Sequence, residues 1–301
     1  MSNSKNILYL ISLILLMLTG CEADTTLAPL PNPGEEPVEV RFHATTFGAN
    51  VEVSRAENYT EKNTLTADDK IGIWNDYYSN IKMIYNESDA VNLNTENGEK
   101  IYYPYQTEEM KIYAYAPYST EAYDNEKNTI RVKSEWVVEK GLDNYITDPI
   151  WATATTTKEQ ATTEPVDLEF QHVMSRLKIY LVNDERKSYN LIYVNLTFDR
   201  TQYGEMSLET GNITPTLTNY HYEVFDINDL KTTLLPKEDT TEPHFDHTVL
   251  PGSKLKCISV WIMTEQGLKK YLSSDENVTF PEFERGKTNK IFINVGKIEN
   301  K

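Results

Sequence analysis

The stretch Val166–Leu181, "VDLEFQHVMSRLKIYL", decides the fold. Val166, Leu168 and Phe170 fall on one side of an extended chain, and Asp167, Glu169 and Gln171 fall on the other. This period of two belongs to a strand with one buried face. A second strand, "RLKIYLV", follows, and only "FQHVMSRL", from His172 to Leu177, reads as a helical turn between them. Upstream the same style runs back through "PIWATAT", "IRVKSEWVV", "MKIYAYAPY", "IYYPY" and "DKIGIW" to "VEVRF", where Val38, Val40 and Phe42 share a face. Downstream it continues through "NLIYVNLTF", "YGEMSL", "HYEVF", "LKCISVWIM", "KKYLSS" and "NKIFINV", with Gly267 as a hairpin turn.

Clusters of Asn, Asp, Gly or Pro separate several of these runs. About fourteen short strands over this length predict an all-β protein of two β-sandwiches rather than one. The acidic, Thr-rich "TTTKEQATTEP", Thr155–Pro165, is the best boundary. It gives an N-terminal domain at 38–165 and a C-terminal domain at 166–301.

Composition agrees with strands: 20 Tyr, 9 Phe and 4 Trp sit among Val, Ile and Thr. The net charge of −17 argues against nucleic acid and against a bare anionic lipid surface as partners. The two cysteines, Cys21 and Cys257, provide no disulfide framework for an exported chain. Stability must therefore come from burial.

Export is read from the N-terminus. Lys5 precedes a short apolar run, Ile7–Leu18, the layout of a signal peptide and too short for a comfortable bilayer span. The run stops at "LTGC", Leu18–Cys21, which resembles the lipobox of bacterial lipoproteins. That likeness implies removal of residues 1–20 and lipidation of Cys21, which would tie the chain to the outer membrane. Loss of Lys5 with the leader leaves 28 basic against 46 acidic residues, a net −18. Residues 21–37, with four prolines and few apolar side chains, read as an extended tether.

Residues that carry chemistry elsewhere find bland readings here. His244, Asp246 and His247 in "PHFDHTVLPG" lack the spacing of a metal site, and a turn or edge strand suits them better. His172 reads as a packed or capping residue. Cys257, apolar on both sides, reads as a buried small hydrophobe. "DNEKN", Asp124–Asn128, lacks the glycine and closing glutamate of a calcium loop and reads as a turn. There is no GxSxG elbow and no phosphate-binding glycine loop, so neither catalytic residues nor a cofactor are assigned. Trp74, Trp136, Trp151 and Trp261 are either sugar-stacking platforms or core residues, and their strand-like surroundings favour the core.

Several stretches together resemble a known family. In order they are "VRFHATT", "VSRA", "LTADDKIGIW", "GEKIYYPY", "KIYAYAPY", "DPIWATAT", "VDLEFQHVMSRLKIYL" and "LPG". Order and spacing are similar to those of the fimbrillin family of Bacteroidota, the components of type V pili. The most specific part is the linked set of an exposed Asp148, the aromatic-Ala strand after it, the strand leading to Phe170-x-His172 and the strand opening on Ser175-Arg176-Leu177.

The resemblance implies two tandem transthyretin-like, Greek-key β-sandwiches and a structural role at the cell surface. It also implies assembly with other pilus subunits. In polymerising members an arginine-specific protease removes the first strand, and a strand from the next subunit fills the open groove. Arg55-Ala56 is the candidate cut; Arg41 lies inside a good strand. Ile291, Ile293 and Val295 form either a donor strand or a fixed closing strand. Stalk, tip and anchor roles stay open, as does a host protein or glycan as ligand. A surface glycan-binding lipoprotein is the alternative reading. Asp24-Thr25-Thr26 and Asp239-Thr240-Thr241 resemble Bacteroidota O-glycosylation patterns, or are ordinary linker polarity.

Overall fold

Seven strands close into a barrel around the first apolar set. The structure, a computed structural model, describes residues 36–46, 57–58, 65–87, 90–105, 107–137, 140–183, 188–217, 221–226, 233–234, 243, 245–265, 267–274 and 280–294. The barrel strands are β1 (Phe42–Thr46), β3 (Lys70–Trp74), β4 (Ile81–Tyr85), β5 (Leu93–Thr95), β6 (Glu109–Ala116), β10 (Ile150–Thr157) and β11 (Val166–His172). Their spatial order is β1-β11-β10-β6-β3-β4-β5. Each turns alternate residues inward, and Phe42, Ile71, Ile73, Ile112, Leu168 and Phe170 are essentially removed from solvent. The expected all-β fold is what the chain adopts.

The second core lies between two facing sheets. One has the order β18 (Phe245–Val249), β12 (Ser175–Val182), β21 (Lys287–Asn294) and β2 (Glu57–Asn58). The other runs β16 (His221–Asp226), β13 (Tyr189–Phe198), β19 (Leu255–Thr264) and β20 (Gly267–Ser274), with β17 (Thr233–Leu234) on β13. Leu177, Ile179 and Leu181 from the first sheet meet Leu196, Ile258, Val260 and Ile262 from the second. The β19–β20 hairpin turns at Gly267, which pairs with Thr264.

A further sheet joins the two halves of the chain. It holds β15 (Ile213–Pro215), β14 (Tyr203–Ser207), β8 (Thr129–Lys133) and β7 (Tyr123–Asp124), with β9 (Ile146–Thr147) on β8. Its core mixes Trp74, Tyr115, Ile130 and Val132 with Met174, Met206, Leu208 and Leu250. Trp136 crosses over as well, stacking on Phe198 with ring centroids 5.6 Å apart.

The barrel pairings continue past the expected 165/166 boundary. β11 lies in the barrel, parallel to β1 from Phe42↔Val166 to Thr46↔Phe170, and its side chains fill the barrel core. The Thr-rich stretch before it is no linker. Its first residues finish β10, and Lys158–Thr163 form a short helix, α1. Thr157 caps α1 in a reciprocal box: its Oγ1 accepts from Gln160 N at 3.2 Å, and its own N–H donates to Gln160 Oε1 at 3.0 Å. Thr157→Ala is expected to lower stability by about 1 kcal/mol, read from denaturant midpoints at unchanged m.

The expected helical turn at His172–Leu177 is also overturned. β11 runs through His172 and β12 begins at Ser175, with fully buried Val173 and Met174 as the hinge between barrel and sandwich. Burial, rather than helical periodicity, explains the apolar density there.

Candidate functional site

β1 is held on two sides by different means. On one side it has the parallel β11 ladder, reinforced by Val166 N–H donating to Arg41 O at 2.7 Å and by His43 Nδ1 and Asp167 Oδ1 at 2.9 Å. On the other side it meets β5 at the single pair Phe42↔Leu93. The segment just before β1 is pinned to residues 101–103: Val40 N–H donates to Ile101 O and Tyr103 N–H to Val38 O, both at 2.8 Å. The sequence expectation of a strand from Val38 is thus met in pairing and alternation, although the regular strand starts at Phe42. Val40, Phe42 and Ala44 are at most 4% exposed. Taking the segment out would open a groove with an apolar floor and unpaired backbone on β11.

The other end of the chain shows a related arrangement. β21 lies parallel to β12, from Arg176↔Thr288 to Val182↔Asn294. Among the described residues, β2 covers its far edge only at Lys287 and Thr288. Ile293 is buried and Ile291 packs against the same core, while Phe292 is 63% exposed and stacks on Tyr180 at 4.7 Å. β11 and β12 are consecutive, so the first and last strands each flank one of two successive strands in parallel.

Cys21, Thr25, Arg55, Ala56, Thr240, His244 and Val295 lie outside the described residues. Arg55 and Ala56 fall in the span between β1 and β2, immediately before Glu57.

The remaining candidates resolve into structural contacts. Asp246 ion-pairs with Arg176 and sits 3.6 Å from Lys178, whereas His247 pairs with Glu135 at 3.3 Å. Among the described residues no cluster of three or more His, Cys, Asp or Glu is arranged to hold a metal. Asp148, expected exposed, is instead half-buried against the buried His172 at 3.0 Å, where the two join the β9–β10 turn to the end of β11. Asp124 Oδ1 accepts from the N–H groups of Glu126 and Lys127, a self-capped turn. Cys257, expected buried, is half-exposed.

The four Trp rings are engaged by the protein itself. Trp74 and Trp136 are buried. Trp151 donates from Nε1 to Leu208 O at 2.6 Å and lies under the Arg285 guanidinium at 5.0 Å, where burial pulls the Arg285 pKa down. Trp261 stacks on Tyr193 at 5.1 Å and carries Lys270 Nζ 5.3 Å from its ring. None of the four stands clear as a sugar-stacking platform.

A family model described as fimbrillin-like matches residues 54–301. The chain belongs to the fimbrillin-like family. This fimbrillin-like chain is therefore a pilus-related protein of the cell surface. No curated protein matches it significantly in sequence. Solved structures share its fold. One is a "putative cell adhesion protein" from Bacteroides uniformis at 18% identity and TM-score 0.50, covering 87% of this chain and 96% of that one. Another, described in the same words, from Bacteroides ovatus, is 16% identical at TM-score 0.52, covering 85% and 91%.

Sequence reasoning on this fimbrillin-like chain missed Asn92 and Arg285. Asn92 precedes β5 and bonds to β1 through its side chain; Arg285 links β10 to the β14–β15 turn by donating to Thr210 O at 3.1 Å. Both contacts join residues far apart in sequence, so no local spacing announces them.

Proposed function

We propose that the chain is a subunit or anchor of a type V pilus, delivered as a lipoprotein on Cys21 and assembled by β-strand donation. The observation that carries this reading is the position of β1. It is a short N-terminal strand that completes the barrel core, pairs fully on one side only, and is followed by Arg55-Ala56 before the chain reaches β2. A cut there frees the lipid and β1 together. β2 stays on β21, and the groove beside β11 opens. A strand of another subunit then restores the ladder and buries alternate side chains. The segment from Ile291 to Val295 is the proposed donor, since β21 is the last described strand and, among the described residues, its far edge is mostly uncovered. Uncut, the same chain stays at the outer membrane as an anchor. The role is structural and adhesive rather than enzymatic, with a host protein or glycan as the ligand class.

Arg55→Ala tests the cut. Wild-type protein recovered from surface fibres is expected to begin at Ala56 without lipid. The variant is expected to remain lipid-linked at Cys21 and absent from detergent-resistant polymer. Polymer containing the variant at wild-type levels would contradict cleavage at Arg55.

A further inference from the structure

Asn92 acts on the first strand as a neighbouring strand would. β5 pairs with β1 at Phe42↔Leu93 and no further. Two residues along, at Ala44, the side chain of Asn92 takes over. Ala44 N–H donates to Asn92 Oδ1 at 2.7 Å, and Asn92 Nδ2 donates back to Ala44 O at 2.9 Å. Donor and acceptor of one carboxamide thus match donor and acceptor of one strand residue, as in an antiparallel pair. Asn92 is 4% exposed and Ala44 is 1% exposed, so neither group has water as a ready substitute. The Asn92 main chain is fixed too, its carbonyl accepting from Asn86 N–H at 2.7 Å.

This contact reads backbone only. It engages the edge of β1 away from β11, at the level of Leu168, the register partner of Ala44. A one-residue slip would turn every side chain to the wrong face and aim the peptide groups away from the carboxamide. Emptying the groove would break both of these hydrogen bonds and open the carboxamide to water.

We propose that Asn92 is the register-setting clamp of the groove: it grips the main chain of whichever strand lies beside β11, the chain's own or one donated by another subunit. The proposal rests on the strand-donation reading. It explains how one groove accepts strands of different sequence while holding a single register.

The test uses the full chain with a site-specific protease sequence inserted after Asn50, nicked there and then freed of its N-terminal piece, so that it does not depend on Arg55 and the probe meets an empty groove. The probe is a fluorescent peptide of the chain's own residues 38–46, VEVRFHATT, and the same peptide N-methylated at Ala44. The Ala44 N–H points away from β11, so methylation spares that ladder. Nicked wild type is expected to capture the plain peptide about tenfold more tightly than the methylated one. Asn92→Ala is expected to lose about tenfold on the plain peptide, with methylation adding little further, the mark of one shared interaction.

Equal capture of the plain peptide by wild type and Asn92→Ala, or an equal methylation penalty in both, would overturn the clamp while leaving strand donation standing. Capture by neither protein, with both chains folded by circular dichroism, would overturn strand donation and the clamp's role on incoming strands together. If Asn92→Ala does not fold, the comparison of the two peptides on wild type still decides: equal affinity overturns the clamp.

Discussion

Phe42→Ala is expected to destabilise the full chain by about 3–5 kcal/mol, the usual cost of emptying a buried aromatic site. Phe42 is 1% exposed and sits at the closure of the barrel, paired with Val166 on one side and Leu93 on the other. No other residue of β1 has ladder partners in both neighbouring strands. Loss of the ring therefore leaves a cavity where the ring of strands is joined by a single β1–β5 pair. Chemical denaturation with fluorescence and circular dichroism should show a lower midpoint. A loss below about 1 kcal/mol would mean that β1 adds little to the barrel core, against the groove described here.

Gly72→Ala is expected to cost about 3 kcal/mol or more, at the upper end of overpacking penalties. A Cβ on Gly72 would stand 2.2 Å from Tyr115 Cε1, 2.6 Å from Cζ and 2.8 Å from Asn80 Oδ1. The ring cannot swing aside at low cost. It is fully buried, and its hydroxyl bonds to Asn80 Oδ1 at 2.6 Å and Ser119 O at 3.0 Å. Burial also pushes the Tyr115 pKa up, so the phenol stays protonated and keeps donating. Tyr115→Ala removes the obstacle. The double variant should therefore be less destabilised than the sum of the singles, and additivity would contradict the contact.

Strand positions were largely legible because a half-buried strand writes its period into the sequence. Val38, Val40 and Phe42 face the core as their alternation requires, and Gly267 turns its hairpin. What could not be read was partnership. β1 and β11 pair across 124 residues, and nothing in either segment names the other. β11 follows the Thr-rich stretch in sequence and yet lies in the barrel beside β1. The Thr157–Gln160 cap shows only in its reciprocal bonds, because a polar, Thr-rich stretch reads as a boundary. In the hinge, Phe170, Val173, Met174 and Leu177 carry helical spacing by accident of facing three cores in succession. The groove was expected from the resemblance, but its far wall was not, because Asn92 meets Ala44 only through a long-range side-chain contact.

The exchange of β1 is the centre of this account, and a reversible lock tests it directly. His43 and Asp167 are register partners on the outer face of the β1–β11 pair, within disulfide reach for adjacent strands. The full chain carrying His43→Cys and Asp167→Cys, returned to its native cell surface, keeps β1 in place even after cleavage. The oxidised chain is expected to reach the surface without entering detergent-resistant polymer, and to enter it once reduced. Polymerisation of the oxidised chain at wild-type levels would contradict it.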